Sequence, residues 1–174
     1  MSMSVRPDAD LVQAAQAGDV ESFEALYARY VPVVHSIVLG RLPAVDADDV
    51  TQNVFITAYK KLTTLREPAA FAGWITRIAR NAAEDHRRRT EVVVVLDTEY
   101  AARATQADAA EAARALSAIR ALPEAYRQTL MLRLVEGLSG PEIAERTGLT
   151  HGSVRVNLHR GMQLLRDALD GGDA

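Results

Sequence analysis

Apolar side chains recur along this chain at three- and four-residue intervals, the spacing that puts them on one face of a helix. After Asp19 they fall at Phe23, Leu26, Tyr27, Tyr30, Val34 and Ile37. A second stripe runs through Val50, Val54, Ala58, Leu62 and Leu65, and a third through Phe71, Trp74, Ile75, Ile78 and Ala82. Residues with cap and breaker chemistry place the ends. A short helix from Asp8 to about Ala17 stops at Gly18, Asp19 caps the next, Asp46 caps a third that runs to Leu65, and Pro68 opens a fourth. Residues 1–89 are therefore expected to form a four-helix lobe, with Trp74 in its core rather than serving as a stacking platform.

Residues 114–174 continue the helical pattern. One helix is expected over 114–122, and another is opened by Pro123 and closed near Gly137. Ser139 and Glu142 then form an S-x-x-E capping box, with Pro141 in the first turn. Gly148 breaks that helix and Thr150 can cap the next. Ile143, Ala144, Leu149, Val154 and Leu158 supply the apolar contacts between the two, a helix-turn-helix. Between the lobes, the β-branched run "EVVVVLDTEY" (91–100) is too short and isolated to build a sheet, and "AARATQADAAEAA" follows it. Residues 90–113 read as a linker, partly helical towards its end. The expected fold is all-α, two small helical domains joined by that linker.

Charge changes the picture. The chain has 174 residues and a formal net charge of −3, unevenly placed. Residues 1–89 carry 11 basic and 11 acidic side chains, residues 90–113 one and five, and residues 114–174 eight and seven. Yet the stretch from Arg146 to Arg166 holds four arginines, two histidines and no carboxylate. At 100° per residue, Val154, Leu158, Gly161 and Leu165 form the buried seam of its second helix. Ser153, Arg155, Val156, His159 and Arg160 then face outward, with Gly152, Gln163 and Arg166. Arginine pairs bidentately with guanine in the major groove, and small side chains permit close approach. The face is read as a DNA contact, to phosphates and base edges, rather than a merely solvated basic surface. A comparable basic side on "FAGWITRIARNAAEDHRRR" carries Arg77, Arg80, Asn81, Glu84, Arg87 and Arg88.

Composition excludes other classes. Cysteine is absent, which removes disulfides and thiolate metal sites. His35, His86, His151 and His159 lack ligand spacing and carboxylate company, so neither metal nor cofactor is expected. No nucleophile–base pair or Gly-rich phosphate loop suggests an enzyme. No apolar run approaches the ~18 residues of a membrane span, and "MSMSVRPDAD" has no apolar signal core. A cytoplasmic protein without membrane insertion is expected.

Three motifs in order carry a family resemblance. "DADDVTQNVFITAYKKL", "FAGWITRIARNAAEDHRRR" and "ALPEAYRQTLMLRLVEGLSGPEIAERTGLTHGSVRVNLHRGMQLLR" resemble the polymerase-binding helix, the promoter-melting helix and the C-terminal domain of extracytoplasmic-function (ECF) sigma factors. These are small bacterial sigma-70-type initiation factors, and the resemblance covers about residues 8–169 apart from the linker. It implies region 2 in 1–89, a linker in 90–113 threading towards the RNA exit path, and region 4 in 114–174. Asp48, Asp49, Gln52 and Asn53 would grip the clamp helices of the largest subunit of core RNA polymerase, with Ile56 and Lys60 on the same sector. Region 4 would meet the polymerase flap region. Arg77, Arg80, Asn81, Arg87 and Arg88 would handle the −10 element, and Ser153, Arg155, Val156, His159 and Arg160 would read the −35 element as duplex.

The chain departs from the family pattern at three places. Asn53 stands where the family usually has an acid, Val156 where a small polar residue is common, and Asn157 where a basic one is frequent. With no further domain read beyond residue 170, regulation is expected from an anti-sigma factor or a Ser/Thr kinase. Thr63, expected on the same side as Asn53, is the candidate phosphorylation site, because a phosphate adds about −1.5 to −2 charge. Thr51 is expected in the buried sector. The competing reading is a stand-alone helix-turn-helix repressor or response-regulator-like DNA binder.

Overall fold

A computed structural model describes residues 6–90 and 106–171, with side chains over 6–90 and 110–171. The described residues form helices and no strand; the 91–100 run lies outside them. The first lobe contains α1 (Asp8–Gln16), α2 (Val20–Leu39), α3 (Ala44–Lys61) and α4 (Phe71–Arg89). The second contains α5 (Gln106–Ala121), α6 (Glu124–Leu134), α7 (Gly140–Thr147) and α8 (His151–Asp170). No helix among the described residues is long and apolar enough to cross a membrane.

Several ends differ from the sequence reading. Asp19 is the N-cap position of α2, but its carboxylate makes no cap bond and accepts the Ser22 hydroxyl instead. The third helix begins at Ala44 behind Pro43, so Asp46 is a first-turn residue and not the cap. Proline needs no hydrogen-bonded N–H, and a carboxylate within the first turn still favours the positive helix end. This helix also stops at Lys61, with Leu62–Thr64 in a 3-10 turn, which brings Leu62 and Leu65 under the lobe. Helix α5 begins at Gln106 rather than at 114, so the helical end expected of the linker is continuous with it.

Helix α2 is the spine of the first lobe: Leu26, Tyr30, Val34 and Ile37 are buried against α3 and α4. The Tyr30 ring meets Phe71 edge-on at 5.1 Å, and its hydroxyl donates to Asp8, which also pairs with Arg29. Burial first, and then the Asp8 carboxylate, push the Tyr30 phenol far above its ordinary pKa. On α4 the fully buried line is Phe71, Ile75, Ala79 and Ala83, while Trp74, Ile78 and Ala82 are half-buried. The buried arc therefore sits about one residue on from the expected stripe, because α4 packs on both α2 and α3.

The two lobes pack directly on each other, α2 against α6 and α4 against α7. Arg120 donates to the carbonyls of Leu39 at 3.0 Å and Leu42 at 2.7 Å, satisfying the end of α2. Arg41, nearly buried, pairs with Glu124, which also accepts from Arg127 at 2.8 Å. Burial acts to raise the Glu124 carboxyl, but Arg127 and Arg41 outweigh it and hold it below its ordinary value. Glu136 accepts the Ser36 hydroxyl, and the Arg146 guanidinium lies 5.5 Å from the centre of the Tyr30 ring. At the α4–α7 crossing two glycines meet. A Cβ on Gly148 would lie 3.3 Å from the backbone nitrogen of Gly73.

Candidate nucleic-acid and polymerase interfaces

The helix-turn-helix is fixed by local chemistry before packing. Ser139 and Glu142 close a reciprocal capping box, the backbone N–H of Ser139 donating to the Glu142 carboxylate at 2.8 Å. Gly148, at φ +73°, ends α7 in the left-handed region, where a side chain would be strained. Thr150 then caps α8 by accepting the Ser153 N–H at 3.1 Å. Val154, Gly161 and Leu165 are buried and Leu158 partly so, as the helical phase predicts. Gly161 lets α8 lie close on α6: a Cβ there would be 3.2 Å from Leu130 and Tyr126.

That seam leaves Ser153, Arg155, Val156, His159 and Arg160 exposed together on one side of α8. Arg155, His159 and Arg160 have no ion-pair or hydrogen-bond partner among the described residues. The first carboxylate on the helix is Asp167. Between α6 and α8 lies a groove of about 610 Å³ lined by Leu134, Leu158, Met162, Arg133 and Arg166, and Leu134 is 48% exposed.

On α4, Arg77 and Asn81 are exposed, whereas Arg80 is half-buried and its Nε donates to the Thr76 carbonyl at 3.4 Å. Arg87 pairs with Glu84 at 2.7 Å, and Arg88 with Asp85. Exposed ion pairs of this kind contribute little to stability, so a phosphate can replace the carboxylate. Hydrogen bonding from Arg87 holds the Glu84 carboxyl below its ordinary value.

On α3, Asp48, Asp49, Gln52, Asn53, Ile56 and Lys60 are all exposed, and Ile56 is 51% accessible. Sequence reasoning missed what lies beside them. An apolar groove of about 470 Å³ between α2 and α3 is lined by Phe23, Tyr27, Phe55, Ile56 and Tyr59 with Gln52 and Lys60. Phe23 and Tyr59 meet edge-on at 4.9 Å, and Tyr27 lies 4.6 Å from Phe55. Tyr27, on the apolar stripe of α2 by spacing, is 40% exposed, its ring lying against Phe55 at the groove. Tyr59, three residues after Ile56 on the same face, was the signal available.

The histidines require a correction. His35 lies 3.4 Å from Asp48, and His86 3.4 Å from Asp46, so two of the four have carboxylate company. Both contacts join one helix to the next, α2 to α3 and α3 to α4, which spacing within a helix does not reveal. No group of three His, Cys, Asp or Glu able to hold a metal occurs among the described residues. Thr51 is buried as expected, its hydroxyl without a partner. Thr63 is exposed, but it sits on the 3-10 turn, where the α-helical phase no longer applies.

Comparison with known proteins follows the same division. Sigma-70 region 2 matches residues 26–92, and Sigma-70, region 4 matches residues 112–165. The ECF RNA polymerase sigma-E factor of Escherichia coli K12 is 31% identical over 180 residues, covering 94% of this chain and 92% of that protein. The RNA polymerase sigma-H factor of Pseudomonas aeruginosa is 33% identical, covering 93% of each. The ECF sigma factor BldN of Streptomyces coelicolor is 30% identical, and the chain spans 63% of its length. Among solved structures, CnrH in complex with the cytosolic domain of CnrY is 27% identical with a TM-score of 0.64, over 94% of this chain and 97% of CnrH. The sigma factor RpoE of Bartonella quintana, solved with the anti-sigma factor NepR, shares the fold at 17% identity and a TM-score of 0.59. Both regions are present, in order, on a two-lobed helical frame: the chain belongs to the sigma-70 family as an ECF sigma factor, a protein that directs RNA polymerase to promoters rather than a stand-alone repressor.

Proposed function

We propose that the chain binds core RNA polymerase through α3 and reads its promoter with α4 and α8, as residues 1–89, 90–113 and 114–174 in the roles of region 2, linker and region 4. The acid-free outer face of α8, with two arginines and a histidine that have no partner among the described residues, carries this reading. Cationic donors held outward by a capped helix suit base edges and phosphates, and the neighbouring glycine and serine allow the backbone to come close. The exposed Asp48, Asp49, Gln52, Asn53, Ile56 and Lys60 sector and its aromatic groove would receive the clamp helices, and the Leu134 groove would receive the flap region. Arg77, Arg80, Asn81, Arg87 and Arg88 would engage the −10 element.

Phosphate contacts dominate protein–DNA affinity, and a single small duplex-reading domain makes few of them. The isolated chain is therefore expected to bind promoter DNA poorly and to act through the polymerase, in the cytoplasm. Co-purification with core polymerase, followed by run-off transcription with and without the chain, tests the reading. Specific transcripts only from the combination are expected. Tight sequence-specific gel shifts by the chain alone at physiological salt would overturn it. CnrH, a relative of the same architecture, is held by a protein partner, which supports an anti-sigma factor as regulator of this chain. A Ser/Thr kinase acting at exposed Thr63 is the second route.

A further inference from the structure

Val156 is 43% exposed at the centre of the α8 face. Its helical neighbours one turn away are Gly152 and Ser153 on one side and His159 and Arg160 on the other, all exposed. Arg155 flanks it. A duplex that reaches both Arg155 and Arg160 must therefore press on the valine between them. The N-terminal residues of a recognition helix are the ones that meet base edges, and Val156 is the sixth residue of α8.

Valine offers no donor and no acceptor. Against guanine N7 and O6, adenine N7 and N6, or cytosine N4, it would strip water from a polar edge and return nothing. The 5-methyl group of thymine is the one apolar feature the major groove displays. A β-branched side chain on a helix is also stiff at its first torsion, so its methyls are already in position before DNA arrives. We infer that Val156 is a specificity-determining residue that selects thymine at one position of the −35 element through its 5-methyl group. This rests on the reading of α8 as the −35 helix.

The test uses core polymerase, the full chain and a duplex promoter library randomised over the −35 and −10 elements, with transcripts sequenced. Wild type is expected to enrich thymine at a −35 position where Val156→Ser shows no preference, the other positions keeping theirs. In the selected promoter, replacing that thymine by deoxyuridine removes only the methyl. Wild-type initiation should then fall about fourfold, the worth of burying one methyl-sized group, while Val156→Ser should not respond to the swap. Identical −35 selection by wild type and Val156→Ser, or no cost of deoxyuridine to wild type, would overturn the inference. Arg155→Ala and Arg160→Ala, run beside them, separate the two levels. If they alter −35 selection and Val156→Ser does not, only the valine inference falls. If none of the three alters it, the assignment of α8 falls as well.

Discussion

Arg155 and Arg160 are exposed on α8 with no partner among the described residues, and such guanidinium groups on a capped helix should act by pairing with bases. Arg155→Ala and Arg160→Ala are each expected to cost about 1–3 kcal/mol at cognate promoters, measured as initiation rate across promoter variants. Arg166, almost two turns further along, should contact phosphate, so Arg166→Ala is expected to weaken binding to all sequences and reduce the salt slope by about one. Asn53 and Thr63 allow a second comparison. If phosphate on Thr63 supplies the charge that Asn53 lacks, Asn53→Glu and Thr63→Glu should both raise core-polymerase affinity at fixed salt. No gain from either variant would leave regulation to a protein partner. Exposure on α8 was legible in the sequence because one helix with one buried seam sets its own phase. Tyr27 was not, since only the neighbouring Phe55 turns its ring outward. The same holds for His35 and His86, whose carboxylate neighbours sit on another helix.

Among the helices, α7 is the one whose ends are most fully specified by its own residues. At eight residues it is too short to persist without caps and packing. Ser139→Ala should cost about 1 kcal/mol in urea unfolding by removing the acceptor for the Glu142 N–H. Hydrogen bonds from the Ser139 hydroxyl and backbone hold the Glu142 carboxyl below its ordinary value. A carboxyl depressed on folding contributes stability above its unfolded value near 4.5 and loses it as pH falls through the folded value. The stability difference between wild type and Ser139→Ala should therefore narrow below about pH 4.5 when both are unfolded across a pH series. Both caps of the helix-turn-helix were legible as Ser139, Glu142 and Thr150, because capping is decided within four residues. The start of α3 was not, since Pro43 and Asp46 both suit a helix N-terminus and the turn after Leu42 chooses between them. Nor was its end, where Leu62 and Leu65 give up the helix to reach the core.

The contact between lobes left almost no trace in the pattern of apolar positions. Beside apolar side chains that belong to one continuous core, it uses glycines, arginines whose partners lie in the other lobe and the Ser36–Glu136 hydrogen bond, none of which produces a periodic stripe. Gly148 contributes to it at φ +73°, against the Gly73 backbone. Gly148→Ala should destabilise the chain by at least ~1 kcal/mol in thermal or urea unfolding, because the left-handed conformation penalises a side chain and the opposing backbone cannot step aside. Gly140→Ala, where a Cβ would meet only Val154 at 3.9 Å, is the control expected to stay near wild type.

The touching glycines set a ruler against a length. The −10 and −35 elements lie about 25 base pairs apart by their names, or roughly 85 Å of duplex at ~3.4 Å per pair. Helices α4 and α7 are in backbone contact and α8 packs on α7, so the outer faces of α4 and α8 are separated by the width of a helix or two, not by two and a half turns of DNA. If α4 and α8 read the −10 and −35 elements as proposed, a molecule in this arrangement can reach one element but not both. Reading both would require the α2–α6 and α4–α7 contacts to part and the stretch between α4 and α5 to span the gap. The absence of cysteine makes this measurable, since paired dyes can be attached at Asp10→Cys and Glu145→Cys with no competing thiol. Energy transfer between them should be high in the free chain and fall when core polymerase is added. Transfer that stays high through open-complex formation would mean that one lobe reads the promoter alone.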